Sequence, residues 1–325
     1  ELVGCSVNEL LDGIDHSQQA IHTEGCLAQA REEVAFEMVE AASEAPGITT
    51  ALISLASRPG LLDDAQCPPA LYLLAGVPVL EHVMKQLQLG GNTRVVIVIG
   101  ANGRLIRDAV ATFQVADSLL IDFVDLGEDY NGGFANSLRL AREHMHNEPF
   151  LLSTADHIFD PTLVRAMRQR RLSPKVEAVA LVERDVQSVL GLPLTAVRVR
   201  LRRGQDDAGD EATGVSNGAS NGASNGALNW ASAAGAGVVA ALGRNIGVQV
   251  DGIEAGLYAC SPSIFDAFDA QHAARGYFTV AQAMQSLVAR SALSSEPTAG
   301  RQWFAIETAD QRDVATKVAG GWPWQ

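Results

Sequence analysis

The run Arg94–Ile99 (RVVIVI) constrains the fold of this chain more than any other stretch. After its Arg it is continuous in β-branched residues, without polar alternation, and Gly100 closes it, so it reads as a strand buried on both faces. Such a strand needs helices above and below it, and that coverage comes with parallel βαβ connections. The neighbouring sequence supplies them. Strand patterns fall at Ala51–Leu55, Ser118–Val124, Pro149–Thr154 and Val176–Glu183, and helical patterns at Val79–Leu89, Leu105–Phe113, Ala135–His146 and Pro161–Arg170. The last of these opens with Pro at its first position. The alternation predicts a three-layer α/β/α sandwich around a mostly parallel sheet.

Past Arg184 the character changes. Ala196–Arg202 (AVRVRLR) alternates apolar and basic residues, as a half-solvated antiparallel strand does. Residues 203–234 are low in complexity, repeat SNGA, and carry nothing that can bury a core, so they read as a flexible excursion from a hairpin. Val238–Leu242 returns as the partner strand and Gly256–Cys260 is the next. Helices at Ser263–Ala270 and Thr279–Ala289, a strand at Trp303–Ile306 and a last helix at Ala309–Val318 follow. Ahead of the alternating region, residues 1–46 read as a helical arm: Ser6 and Glu9 have capping-box spacing, Leu27–Ser43 is amphipathic, and Pro46-Gly47 ends it. The expected organisation is therefore an arm (1–46), an α/β core (47–319) and an aromatic tail (320–325) with Trp322 and Trp324.

The chain has 325 residues, of which 47% are apolar and 19% charged, enough for a well-filled core. A net charge of −14 argues against nucleic acid or an anionic membrane as the main partner, while leaving room for a small anion in a local basic pocket. The four cysteines are scattered without CxxC or Cys/His spacing, which speaks against a zinc site and favours a reducing compartment. No run reaches the ~20 apolar residues of a membrane span.

In an alternating α/β chain the loop after the first strand is where phosphates are held. Here Thr50–Gly76 supplies the strand but follows it with SRPGLLDDAQCPP. The pieces AGVPVLEHVMKQLQLGG, RVVIVIGANGRLI, LLSTADHIFD, GIEAGLYACSPSIFDAF and RQWFAIETADQRDVA stand in an order and spacing that resemble the sugar- and polyol-phosphate nucleotidyltransferases, chiefly the inositol-phosphate cytidylyltransferase type. The resemblance implies a GT-A-like fold. It also implies attack by a substrate phosphate on the α-phosphorus of a nucleoside triphosphate such as CTP, with Mg²⁺ held by carboxylates. On the matching positions, Ala56 at the end of the first strand and Gly133, Ala135, Asn136 and Ser137 of YNGGFANSL fall where that family contacts the nucleotide. Asn136-Ser137 fits a helix N-cap pair equally well. Asp156 falls on the family's first metal carboxylate, Asp160 reads as a helix cap, and His157 as a packing or hydrogen-bonding residue.

Other family groups are missing. The loop's two glycines and Arg fall on Ser57, Pro59 and Leu61, and its activating Lys on Pro69. Pro59 has no N–H and Leu61 no charge. A hairpin Lys falls on Ala196, another becomes Arg244, and the second metal Asp falls on Ala305, with Glu307 as the nearby substitute. No realignment by a residue or two restores the lost Lys, because the first Lys of the chain is Lys85. The expectation is a nucleotidyltransferase-fold protein that has lost catalysis and serves as a binding or assembly subunit; the helical arm and Trp322/Trp324 read either as packing on their own core or as elements that dock a protein partner. The alternatives are an active cytidylyltransferase-type enzyme using Asp156, Glu307 and Arg58, and a GT-A glycosyltransferase.

Overall fold

The computed structural model describes residues 47–56, 68–186, 196–202, 237–247, 250–306 and 309–319. The expected helical arm, the loop at 57–67 with Arg58, the SNGA segment, Glu307 and the aromatic tail lie outside the described residues.

The sheet is built around β1 (Thr50–Ser54), β4 (Arg94–Ile99), β5 (Leu120–Asp125) and β6 (Phe150–Ser153), paired in parallel in the order β5-β4-β1-β6. β11 (Gly252–Cys260) then lies antiparallel beside β6. Beyond it come β8 (Ala178–Glu183), β12 (Leu293–Pro297), β10 (Gly237–Gly243) and β9 (Arg198–Leu201), completing nine strands. The expected parallel block is present at one end. The sheet as a whole is mixed, because β11, β10 and β9 pair antiparallel with their neighbours and only β8–β12 is parallel in this half. Two short ribbons stand apart from it: β2 (Leu73–Leu74) with β3 (Val77–Pro78), and β7 (His157–Phe159) with β13 (Trp303–Ala305).

The alternation of side chains along the strands separates two cores. Ala51, Ile53, Val95, Ile97 and Ile99 face one side, where α1 (Val79–Leu89), α2 (Gly103–Val110), α4 (Pro161–Arg168) and α7 (Ala309–Ala319) cover them. Leu52, Val96 and Val98 face the other, under α3 (Phe134–Leu140), α5 (Ile264–Arg275) and α6 (Val280–Ala289). Three layers result, as expected. On the second side Phe150 stacks on Phe265 at 5.4 Å, and Phe268 links Phe265 to Phe278 at 6.0 and 5.9 Å.

Several expected boundaries shift for local reasons. The helix expected over Ala135–His146 ends at Leu140 and continues as a 3-10 turn at Arg142–Met145, before His146 and Asn147 take positive φ. α5 runs on to Arg275 and stops where Gly276 takes a φ of +69°. β11 begins four residues before the expected Gly256, which sits inside the strand at φ +82° where the pairing register with β8 shifts. Asp160 caps α4 as expected, accepting from the Thr162 N–H at 2.8 Å.

Candidate functional site

The parallel strands bring their C-terminal ends to one edge of the sheet, the edge at which open α/β sheets gather ligands. β1 ends there against the start of α3. The Ser54 hydroxyl lies 2.6 Å from that of Ser137, which itself donates to the Phe134 carbonyl at 2.6 Å, so Ser54 is the donor of the pair. The Ala56 N–H donates back to Ser54 Oγ at 3.3 Å. Ala56, Ala135 and Ser137 are all buried here, and Ala56 and Ala135 join the second core.

The YNGG turn leads into α3 with Gly133 at the N-cap position, φ +81°. Asn136 and Ser137 are therefore inside the helix and do not cap it. The capping alternative fails because Gly133, not Asn136, is the last non-helical residue. Asn136 Oδ1 accepts from Arg139 Nε at 2.7 Å, and Arg139 also pairs with Asp269 on α5 at 3.1 Å. The Tyr130 hydroxyl donates to the Gly133 carbonyl at 2.9 Å and pins the turn from inside.

Asp156 stands just past β6, half-buried. Its Oδ1 lies 2.7 Å from His157 Nδ1, and its backbone carbonyl accepts from the Ile306 N–H at 2.7 Å. Burial works against ionisation of this carboxyl, but the His157 charge and hydrogen bond, with hydrogen bonds from Thr154 and the Asp156 backbone, together outweigh it and hold Asp156 below the usual carboxylate range. His157 lies parallel to Trp303, ring centres 5.7 Å apart and planes within 4°, which is the packing and hydrogen-bonding role expected of it. The β7–β13 ribbon sets Ala305, whose side chain is a methyl group, in register with His157.

Three residues of β11 were not singled out as site residues by the sequence reading. Glu254 accepts from the Gly256 N–H, and burial pushes its carboxyl up to about 7, against the smaller opposing influences of His157, the Gly256 N–H and Tyr258. Burial, with the Glu254 charge, also raises the Tyr258 phenol. A methyl group on Gly256 would stand 2.7 Å from Thr154 Oγ1 and 2.9 Å from the His157 ring, so glycine is what lets β11 close on Asp156-His157. Glu254 escaped notice because the strand was expected to begin after it. The only signal was its place two residues before a glycine in an apolar strand. Another acidic residue, Glu183, is buried but fully engaged, accepting from Thr298 Oγ1 at 2.8 Å, Trp303 Nε1 at 3.3 Å and the Asp185 N–H at 2.8 Å. It ties β13 to β8 and is structural.

Residues 57–246, more than half of the chain, match the MobA-like NTP transferase domain. The chain belongs to this nucleotidyltransferase family. Solved structures agree on the fold. A UDP-glucose pyrophosphorylase complexed with UDP-glucose superposes with a TM-score of 0.62 at 12% identity, over 84% of this chain and 98% of that one. The inositol-1-phosphate CTP transferase from T. maritima gives 0.61 at 13% identity, over 85% and 98%. A UTP-bound UGPase from Acinetobacter baumannii gives 0.59 at 12%, over 84% and 93%. No curated protein sequence matches the chain. The nucleotidyltransferase resemblance read from the sequence is thus borne out. Among the described residues no helix is long and apolar enough to cross a membrane.

Proposed function

We propose that this domain binds a nucleoside triphosphate, CTP or a similar one, at the C-terminal edge of β1, β4 and β6, has lost nucleotidyl transfer, and serves as a binding or assembly subunit. The observation that carries the reading is Ala305. It lies in register with His157, next to the ionised Asp156, and offers a methyl group where transfer chemistry calls for a second carboxylate. The absence of any Lys before Lys85 supports it, since transfer to an α-phosphorus relies on cations around the departing pyrophosphate. Each such contact is worth a few kcal/mol of transition-state stabilisation, and the described residues near Asp156 supply no replacement.

A magnesium ion is the cofactor that the fold family implies. Among the described residues no group of three or more His, Cys, Asp and Glu stands ready to hold a metal. Asp156 is one donor, with Oδ1 engaged by His157, and Glu254, its carboxyl pushed up by burial, accepts from the Gly256 N–H. Among the described residues these two carboxylates do not make a two-carboxylate cation site; Glu307, the expected second ligand, lies outside the described residues, and no step is routed through a metal. What the residues do is positional. The Ser54–Ser137 pair ties the end of β1 to α3, the Tyr130–Gly133 bond holds the turn before α3, and both border the proposed nucleotide site, with Asp156-His157 and β11 on its acceptor side.

A second reading, an active cytidylyltransferase type, is favoured by one observation: Glu254 is a carboxylate within electrostatic reach of Asp156. One assay separates the two. The purified chain is heated with CTP, UTP, ATP or GTP plus Mg²⁺, and pyrophosphate is measured after adding inositol phosphate or another phospho-alcohol. The proposal expects stabilisation by at least one nucleotide, about 2.7 kcal/mol at 100 times its dissociation constant, without pyrophosphate. Pyrophosphate release establishes the second reading, and no stabilisation by any nucleotide overturns both.

A further inference from the structure

We infer that Tyr277 is a stacking platform for the nucleobase, an assignment that rests on the nucleotide-binding reading above. Tyr277 is 67% exposed, the most exposed large apolar side chain among the described residues. It is nevertheless held in place. Gly276 ends α5 at φ +69°, its N–H donating to the His272 carbonyl at 2.7 Å and its carbonyl lying 2.9 Å from His272 Nδ1. The Tyr277 N–H then donates to Arg275 O at 2.9 Å. On the other side Phe278 is buried against Phe268, and Thr279 opens α6 with a complete capping box. A three-residue turn between two anchored helices thus turns Phe278 inward and Tyr277 outward.

The direction matters because of what lies beneath the ring. A methyl group on Gly133 would stand 2.5 Å from Tyr277 Cε2 and 3.2 Å from Cδ2, so the ring rests directly on the Gly133 α-carbon. Gly133 is the cap of α3 and the residue whose carbonyl Tyr130 fixes from the opposite side. Two ties hold α5, and with it this ring, over α3. Arg139 pairs with Asp269 at 3.1 Å, and Arg142 pairs with Asp266 at 2.7 Å and Asp269 at 2.8 Å. An aromatic ring fixed on two helices, open to solvent over most of its surface and seated on the glycine turn that borders the β1 end, is the arrangement that stacks a planar base.

Stacking on an aromatic face tolerates any base, so Tyr277 adds affinity for the base without choosing among bases. Removing the ring is expected to weaken binding of the best-bound nucleotide by about 5- to 150-fold, the usual range for one base–aromatic stack. The test compares wild type, Tyr277→Ala, Tyr277→Leu and Tyr277→Phe by titration calorimetry with a nucleoside triphosphate and with inorganic tripolyphosphate. We expect Tyr277→Ala and Tyr277→Leu to lose nucleotide affinity in that range, Tyr277→Phe to keep it, and tripolyphosphate affinity to be unchanged throughout. The ring is exposed, so unchanged unfolding midpoints are expected for all three variants, and Tyr277→Leu keeps bulk against Gly133 should Tyr277→Ala perturb the turn. Full nucleotide affinity in Tyr277→Leu, or an equal loss toward tripolyphosphate, overturns the assignment and leaves nucleotide binding standing. Failure of the wild type to bind any nucleoside triphosphate overturns both together.

Discussion

Glu254 makes the wild type less stable as pH rises through the range between its unfolded and folded ionisation. Its carboxyl titrates at 4.5 when free and at about 7 in the fold, so the folded state holds a proton that the unfolded state has already released. A raised carboxyl of this kind contributes stability that is fully present below pH 4.5 and is lost as pH climbs to about 7. At ~1.4 kcal/mol per pH unit the gap sets a ceiling of about 3 kcal/mol, and because the side chain is only partly shielded from water the expected change is about 1–3 kcal/mol. The groups that face it are His157, Asp156, Tyr258 and the Gly256 N–H. Glu254→Gln keeps an oxygen for the Gly256 N–H and cannot ionise. Urea unfolding of both proteins at pH 4.5 and pH 8 is the assay. The variant should match the wild type at pH 4.5 and exceed it at pH 8 by that amount. A difference that does not change between the two pH values refutes the buried, proton-holding Glu254.

Other consequences are as direct. Gly256→Ala places a methyl group 2.7 Å from Thr154 Oγ1 on a backbone at φ +82°, and should cost about 1–3 kcal/mol in chemical denaturation and abolish any nucleotide-induced stabilisation. Phe268→Ala removes the ring that joins Phe265 to Phe278 in the second core, for an expected loss of about 3–5 kcal/mol by the same measurement. Ala305→Asp sets a carboxylate in register with His157 and should tighten Mn²⁺ binding roughly tenfold in a metal titration, the equivalent of about 1.4 kcal/mol. Unchanged metal affinity would place Ala305 outside the cation region.

The parallel half of the sheet was legible because each strand is an apolar run between two helical patterns, and Arg94–Ile99 appears with its expected bounds. β12 was not, since LSSEP is polar and ends in proline; its hydrogen bonds come from β8 and β10, partners that no local pattern reveals. β7 is three residues long and exists only because β13 returns beside it. The same non-local pairing explains the site. Asp156 was found because it ends a readable strand, whereas Glu254 lies before a glycine that reads as a boundary and in the fold is a bulge inside β11. Asn136 and Ser137 fell inside the helical pattern expected from Ala135, but the cap was legible only downstream of its true place, because the positive φ of Gly133 sets it there.

Transfer of a labelled nucleotide tests the central claim most directly. The full chain is incubated with [α-³²P]CTP, Mg²⁺ and inositol phosphate, and the same sample is divided between equilibrium dialysis and product separation. Retained label with no labelled product is the predicted result, a bound nucleotide that is not transferred. Labelled nucleotidyl product above the heat-treated control contradicts the loss of catalysis, and label that is not retained, for CTP and for each of the other three nucleotides, contradicts nucleotide binding itself.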